Sequence, residues 1–193
     1  ANRASENDLL SVHTEKYINK FKKKSKMGGG QLGSLAPFGL GGFEISCRSA
    51  GLAITAVDQV LRGYLDNAYA LSRPPGHHCL PDFPNGFCLL NNIAIAVRAA
   101  QAKGLAKKFA IIDWDVHHGN GTEAIFYSDP NVLTISIHQD RNYPWDTGSY
   151  RDRGKGHGEG FNVNIPLPPG SGDWVYRYAL SKIAIPVVES FKP

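Results

Sequence analysis

Residues 109–122 read F-A-I-I-D-W-D-V-H-H-G-N-G-T, and this stretch decides the fold. Its first half is a short apolar run that predicts a buried strand, and its second half supplies carboxylates, imidazoles and glycines. Because side chains alternate along a strand, the pattern predicts that Asp113, Asp115 and His117 project to one side. Asp and His are ligands of catalytic zinc, which usually takes three protein ligands. The stretch therefore predicts a metal site where a buried strand ends.

The alternative for this cluster is the solvated end of a surface strand. That interpretation suits a lone Asp or His, but the run before the cluster is too apolar for an exposed ribbon. Gly119 and Gly121 also indicate a tight loop, because glycine lets the backbone approach a neighbour closely. We favour the metal site.

Length and composition fit one globular domain. The chain has 193 residues, 42% of them hydrophobic, and a formal net charge of +4. A run of lysines between Lys20 and Lys26 without interleaved aromatics is more typical of a solvated helix end than of a nucleic-acid patch. Three cysteines without a C-x-x-C pair indicate a reducing compartment. No apolar run reaches membrane-spanning length.

Periodic segments surround the first strand. Helices are predicted over residues 13–24, 49–62 and 91–103. Further strands are predicted over residues 67–71, 132–138 and 161–167, and long loops over 27–42 and 139–160. Thr122 is a predicted N-cap of a short helix, and a last helix from Asp173 must bend or end at Pro186. Alternating strands and helices predict an α/β fold with parallel pairing through right-handed crossovers.

Polar side chains follow three of these strands. His77 and His78 come after one strand, Ser136 and His138 end another, and the ends of parallel strands meet at one edge with residues 113–117. A metal-bound water needs a base and an acid, and imidazole suits both tasks because it titrates near neutrality. The alternative is that the histidine pair is polar loop filler, which fits poorly with a loop stiffened by two prolines.

Several motifs resemble those of the zinc-dependent histone deacetylases. The resemblance is closest to the class II branch and its bacterial relatives, the histone deacetylase-like amidohydrolases and acetylpolyamine amidohydrolases. The motifs are R-P-P-G-H-H at 73–78, G-F-C at 86–88 with Asn91–Asn92, D-W-D-V-H-H-G-N-G-T at 113–122, S-I-H at 136–138 and G-F-N-V-N-I-P at 160–166. They occur in order across residues 13–193. The resemblance implies a three-layer α/β/α arginase/deacetylase-like fold with a mainly parallel sheet, here truncated.

The resemblance also implies roles for individual residues. Asp115 and His117 match two of the family's three zinc ligands. His77 and His78 match its tandem general acid-base histidines, and Asp113 matches the carboxylate that orients the first of them.

The second histidine and the substrate channel have counterparts too. Asn120 matches the class II residue that orients His78, and since an Asn cannot ionise, we expect His78 to stay neutral and act as the base. Gly86, Phe87 and Tyr143 match the walls of the narrow channel that admits an acyl-lysine side chain.

Two structural potassium ions are implied by the same resemblance. The inner site matches Asp113, the Ser136 hydroxyl and the main chain at Asp115, His117 and Ile137. The outer site matches Phe126, Asp129, Val132 and Phe161.

The activity so implied is zinc-dependent hydrolysis of the acetyl amide of N-acetyl-lysine in proteins such as histones, with release of acetate. Family members also use an Asp as third zinc ligand and a Tyr that stabilises the oxyanion, and we expect both beyond Pro193. Because the chain starts at Ala1 without Met and stops after a helical pattern, we expect a single deacetylase domain that is incomplete at both termini. The isolated 193 residues should then have little or no activity.

Other functions stay open at this point. One is an acetylpolyamine or small-molecule amidohydrolase, and another is a catalytically inactive deacetylase-fold binding module. A binuclear manganese ureohydrolase is disfavoured because two metals need more carboxylates than one D-x-D-x-H cluster supplies. The expected partner is an acetylated lysine side chain or an acetylpolyamine, without direct nucleic-acid or membrane binding; a homo-oligomer is compatible with the sequence. The expected location is cytoplasmic and/or nuclear, or cytoplasmic if the protein is bacterial.

Overall fold

The computed structural model describes residues 1–193, which form two compact units, residues 1–106 and 107–193. The first unit contains α1 (Glu6–Leu10), α2 (Glu15–Lys26), β1 (Gly29–Gln31), β2 (Pro37–Gly39), α3 (Gly42–Leu61) and α4 (Asn92–Ala102). The second contains β3 (Phe109–Asp113), α5 (Asn120–Phe126), β4 (Val132–Gln139), β5 (Asn162–Leu167), α6 (Asp173–Ala179) and α7 (Ile185–Phe191). The α/β prediction is confirmed.

The first unit is mainly helical, and its three predicted helices are present as α2, α3 and α4. Thr14 caps α2 by accepting a hydrogen bond from the Tyr17 amide, and Tyr17, Ile18 and Phe21 are buried as their spacing predicted. The predicted loop at 27–42 contains a short antiparallel pair, β1 and β2.

The strand predicted at 67–71 was wrong. These residues have no regular structure, and their apolar side chains face solvent, with Tyr69 86% and Leu71 77% exposed. The alternating pattern was present, but no neighbouring strand pairs with it. His77 and His78 therefore follow an irregular segment instead of a strand.

The second unit is built on a parallel sheet with strand order β3-β4-β5. Asp113 of β3 pairs in register with Ser136 of β4, which pairs with Asn164 of β5. The core of this unit joins apolar residues of the sheet to the last helices: Leu133, Ile135, Ile137, Ile165, Leu167, Ala179, Ala184 and Phe191. Parallel strands of one sheet bring their carboxyl ends to the same edge.

The last helix is interrupted as Pro186 predicted, although the irregularity precedes the proline. Leu180–Ala184 form a π-helical turn between α6 and α7, and Pro186 lies in the first turn of α7, where its missing N–H is tolerated. The wider turn shifts the buried face by one position. Ala184 is fully buried, whereas Ile183, four residues after the buried Ala179, is 38% exposed.

Thr122 is not an N-cap. The short helix α5 begins at Asn120 with Gly119 at its N-cap, so Thr122 lies within the first turn and is buried. The glycines before it allow the chain to turn into the helix earlier than the Thr signal indicated.

The remaining predictions concern the surface and the cysteines. Lys22 pairs with Glu6 at 2.6 Å, and Lys24 donates to the carbonyl of Gln31, so part of the lysine run is engaged within the unit. The three cysteines are free and buried. None of the helices has both the length and the apolar run that crossing a bilayer requires.

Candidate active site

The segment after β3 is shaped by two aspartates. The strand ends at Asp113, whose Oδ1 accepts a hydrogen bond from the Asp115 amide at 3.1 Å, and Asp115 Oδ1 accepts one from the His117 amide at 2.8 Å. Short Asp side chains bond the backbone two residues on and replace the strand with turns. The prediction that strand alternation aligns the three side chains was therefore wrong.

Asp115 and His117 nevertheless converge. His117 Nδ1 lies 3.1 Å from Asp115 Oδ1, and the two side chains are 40% and 49% exposed. Two ligands of one tetrahedral zinc ion are about 3.3 Å apart, so the donor types and their separation fit two zinc ligands. No group of three or more His, Cys, Asp or Glu side chains in residues 1–193 is arranged to hold a metal ion. A three-ligand site needs one donor beyond this pair.

A buried polar network follows Asp115 and His117 in the chain. His118 is 2% exposed, with Nε2 3.2 Å from Glu123 Oε2 and Nδ1 2.9 Å from Thr147 Oγ1. The side-chain amides of Asn162 and Asn164 donate to the same Glu123 oxygen at 2.7 and 2.6 Å. Burial alone would raise the pKa of Glu123, but hydrogen bonds from His118 and the two asparagines outweigh it and lower the pKa. The ionised carboxylate thus joins α5 to β5.

Sequence reasoning missed this network. Its signal was the polar alternation within β5, where Asn162 and Asn164 lie on one face and both are buried. Buried asparagines at every second position require polar partners on neighbouring elements. Glu123, in the first turn of α5, is that partner.

The end of β4 is held by a second histidine. His138 Nε2 donates to the Gly148 carbonyl at 3.0 Å, so its Nδ1 accepts from the Ser136 hydroxyl, also at 3.0 Å. Burial lowers the pKa of His138, and the nearby His118 ring, 4.8 Å away between centroids, acts in the same direction. Ser136 lies opposite Asp113 in the sheet, so these two strand ends meet at one edge as predicted.

Tyr143 stands beside a predicted zinc ligand. Its ring meets the His117 ring edge-on, with 5.8 Å between centroids and 85° between planes. The turn that follows is closed by Thr147, whose hydroxyl donates to the Pro144 carbonyl at 2.8 Å. Trp145, between them, is 70% exposed. An aromatic ring in this position suits the wall of a channel leading to the metal ligands.

In the first unit, the tandem histidines lie on a pinned loop. Their rings are 3.9 Å apart between centroids, and His78 is 3% exposed. The Pro74 carbonyl before them accepts hydrogen bonds from the Ser49 hydroxyl of α3 at 2.9 Å and from the side-chain amide of Asn92 of α4 at 3.0 Å. Two helices therefore fix the position of the His77–His78 loop.

Asn91 and His13 complete this support. The Asn91 side chain caps α4 by accepting from the Ala94 amide at 3.1 Å, and it donates to the Cys79 carbonyl at 3.3 Å. The Asn91 amide donates to His13 Nε2 at 3.0 Å, and His13 Nδ1 lies 3.2 Å from the Pro81 carbonyl. Burial lowers the pKa of His13 to about 4. No pattern in the sequence indicates this role, because His13 is a single histidine before a helix.

Gly86 and Phe87 form the tip of a tight turn. Both have positive φ, 49° and 65°, and the turn is closed by Asn85 and Cys88, whose amide donates to the Asn85 carbonyl at 2.8 Å. The Phe87 amide donates to the Leu35 carbonyl at 2.7 Å, while its ring is 65% exposed. A fixed backbone therefore presents an exposed aromatic ring, as a channel wall requires.

The residues predicted to bind the outer potassium ion lie between the end of α5 and the start of β4, and just before β5. The Phe126 carbonyl accepts from the Asp129 amide at 2.9 Å, the Asp129 carbonyl from the Val132 amide at 3.3 Å, and the Phe161 carbonyl from the Thr134 amide at 3.0 Å. Each carbonyl oxygen has a second lone pair for a cation. The site stays a prediction.

Other assignments also stay predictions. Asn120 is the first residue of α5, and Ile137 is fully buried within β4. The predicted pairings of His77 with Asp113 and of His78 with Asn120 join residues of different units.

Comparison with known proteins agrees with the motifs. The family model described as histone deacetylase domain matches residues 1–193. The chain is 53% identical over 190 residues to a histone deacetylase-like amidohydrolase of Pseudomonas aeruginosa, covering 98% of this chain and 50% of that protein. It is 47% identical over 192 residues to a protein of Archaeoglobus fulgidus named "Probable deacetylase", covering 99% and 52%.

A solved structure extends the likeness to the fold. The crystal structure of the HDA15 HD domain superposes with a TM-score of 0.96 at 36% identity, covering 100% of this chain and 57% of that one. The chain thus spans about half the length of the curated relatives it matches.

Proposed function

The chain belongs to the histone deacetylase family, and on that premise we propose that the protein hydrolyses the acetyl amide of N-acetyl-lysine in proteins such as histones, releasing acetate. The observation that carries the proposal is the convergence of Asp115 and His117 just beyond the end of β3, with 3.1 Å between carboxylate and imidazole. This donor pair suits zinc, the metal of the family.

Asp115 and His117 would hold the zinc ion with one further protein ligand. We propose that this ligand, an Asp, and the tyrosine that stabilises the oxyanion lie outside residues 1–193, because the matched relatives are about twice as long. When bound, zinc polarises the acetyl carbonyl and lowers the pKa of a water molecule. The 193 residues alone, as a single incomplete deacetylase domain, should have little or no activity.

The proton transfers are assigned to the tandem histidines. His78 takes a proton from the attacking water, and His77 gives one to the leaving amine. Asp113 would orient His77, and Asn120 would orient His78. Because an amide stabilises an imidazolium less than a carboxylate does, His78 is the better base of the two.

Substrate entry and cation binding complete the proposal. Gly86, Phe87 and Tyr143 would line the channel and exclude water from the aliphatic stem of the acyl-lysine. Potassium would bind at the inner set of residues and at the outer set around Asp129. The pinned turns that carry Phe87 and Tyr143 support this assignment.

The test compares Asp115→Asn with Asp173→Asn in the whole protein, prepared in the presence of zinc. Asp173 is an exposed carboxylate on α6 that pairs with Arg177 at 2.7 Å, so its replacement controls for a lost charge. We expect Asp115→Asn to lower acetate release from an acetyl-lysine peptide at least about 100-fold and to lower zinc content. Asp173→Asn should keep both. Full activity in Asp115→Asn would refute the assignment.

A second candidate is deacylation of small substrates, favoured by the 53% identity to a histone deacetylase-like amidohydrolase. Acetyl-lysine peptide and acetylpolyamine, assayed at equal concentration, distinguish the two, and a strong preference for the polyamine would overturn the first choice. A preparation of the whole protein that holds no zinc and has no activity would instead indicate a binding module. A cytoplasmic and/or nuclear location, or a cytoplasmic one in a bacterium, and a homo-oligomer belong to the same proposal.

A further inference from the structure

We propose that Trp145 and Asp146 bind a protonated amine of the substrate that lies beyond the acetyl-lysine stem. The inference rests on the proposed function and names the chemistry of the group next to the reacting amide. A tryptophan face attracts a cation, and an adjacent carboxylate adds direct charge attraction.

Trp145 closely follows the tyrosine whose ring contacts a predicted zinc ligand. It lies two residues after Tyr143, whose ring contacts the predicted zinc ligand His117 at 5.8 Å. Two residues of chain span at most about 7 Å, so the Trp145 backbone stays near the mouth of the predicted channel. The side chain is 70% exposed, so its ring face is accessible to a cation.

Buried histidines hold the turn that carries Trp145 in place. Thr147 Oγ1 lies 2.9 Å from Nδ1 of the buried His118, and the Gly148 carbonyl accepts from the buried His138 at 3.0 Å. Gly148 has φ +79°, and an added Cβ would lie 2.8 Å from the His118 ring. The turn is thus fitted closely to these rings. A fixed backbone presents Trp145 with less loss of conformational entropy on binding.

The charged side chains of the turn also bear on which ligand it binds. Residues 140–148 contain two carboxylates and one guanidinium. Arg141 Nε lies 3.7 Å from Asp140 Oδ2, so the charges of these two side chains compensate each other. Asp146, directly after Trp145 and exposed, is left as the net negative charge of the turn. The carboxylate that follows Trp145 therefore favours a cation over an anion at this turn.

Two substrates carry this chemistry. One is an acetylated peptide with a Lys or Arg beside the acetyl-lysine, and the other is an acetylated linear polyamine. In the polyamine the protonated amine ends the chain that follows the acetyl amide, and in the peptide it belongs to the residue next to the acetyl-lysine.

The experiment uses the zinc-loaded whole protein and matched substrate pairs. An acetyl-lysine peptide with a flanking Lys is compared with the same peptide carrying norleucine, and N-acetyl-1,4-diaminobutane is compared with N-pentylacetamide. Trp145→Ala and Asp146→Asn should each raise KM for the cationic member roughly 3- to 30-fold, leave kcat unchanged and have little effect on the neutral member. Trp145→Phe should retain part of the preference. The peptide and polyamine arms show which source of the amine is used.

Trp174 provides the control. It is also exposed, at 73%, but lies on α6 stacked against Tyr178, and Trp174→Ala should leave the preference unchanged. An equal preference for cationic substrates in parent and Trp145→Ala would overturn the inference.

Calorimetric binding of the same peptides gives a readout that does not depend on turnover. Loss of the cationic preference in Trp145→Ala without any acetate release would support the inference while refuting the proposed function. Turnover without any preference for the cationic substrates would support the proposed function and refute the inference.

Discussion

His13→Gln should make the first unit less sensitive to acid. Buried His13 has a pKa of about 4 against an ordinary value of 6.5, so between these values the unfolded chain binds a proton that the folded chain does not. Folding free energy is therefore intact above pH 6.5 and is lost progressively as the pH falls toward 4. Glutamine can accept from the Asn91 amide as Nε2 does, but it cannot take up a proton.

The magnitude follows from the two pKa values. At pH 5 the unfolded state gains about 2 kcal/mol from protonation of His13, whereas at pH 7.5 it gains almost nothing. Protonation within the fold would also break the hydrogen bond from the Asn91 amide, since Nε2 would become a donor. The parent protein should lose about 2 kcal/mol more than His13→Gln between pH 7.5 and pH 5.

The assay is urea unfolding at the two pH values, followed by hydrogen exchange of amides in residues 85–95. Tryptophan fluorescence does not serve, because Trp114, Trp145 and Trp174 all lie in the second unit. His157→Gln, at an exposed position, is the matched control and should behave as the parent. An identical loss of stability in parent and His13→Gln would refute the reasoning.

Three further substitutions test the packing and the buried network. Phe21→Ala removes a fully buried ring that contacts three other aromatic rings and should cost about 3–5 kcal/mol in urea unfolding; a cost below about 1 kcal/mol would contradict the described core. Glu123→Ala leaves the His118 ring and two asparagine amides without their shared acceptor and should cost about 3–5 kcal/mol, with Glu123→Gln milder because an amide oxygen can still accept; equal costs would argue against the network. Gly148→Ala places a methyl group against the His118 and His138 rings at a residue with positive φ, and it should lower the stability of the second unit by about 1–3 kcal/mol. An unchanged melting temperature would show that the turn is loosely held.

Features with local causes were predictable from the sequence. The Thr14 side chain accepts a hydrogen bond from an amide in the first turn of α2, and the apolar face of this helix comes from residues close together in the sequence. Pattern and structure therefore agree. The β-branched run of residues 132–138 becomes β4, buried along almost its whole length, because no other arrangement removes so many apolar side chains from water. The sequence also singled out Asp115 and His117, which the fold brings within 3.1 Å of each other, and their role as zinc ligands stays a prediction.

Features that depend on distant partners were not predictable in this way. Residues 67–71 have the alternation of a strand, but pairing needs a neighbour that the local pattern does not reveal. Strand alternation beyond Asp113 failed because carboxylates bonded the backbone instead. Glu123 drew no attention in the sequence because a charge near the start of a helix is ordinary. Only the packing of β5 against α5 turns it into the acceptor of three donors.

The π-helical turn at Leu180–Ala184 has a consequence for length variation in this region. A π-helical turn contains one residue more than the α-helical turn it replaces, so it is equivalent to a single-residue insertion. The rotation of the helix faces that this extra residue causes is complete before α7 begins. Removing one residue there would relax the turn to ordinary helical geometry, whereas removing one from α6 would rotate Val175 and its neighbours away from the sheet. Size differences among homologous chains should therefore be tolerated at this turn before they are tolerated elsewhere along the same helix.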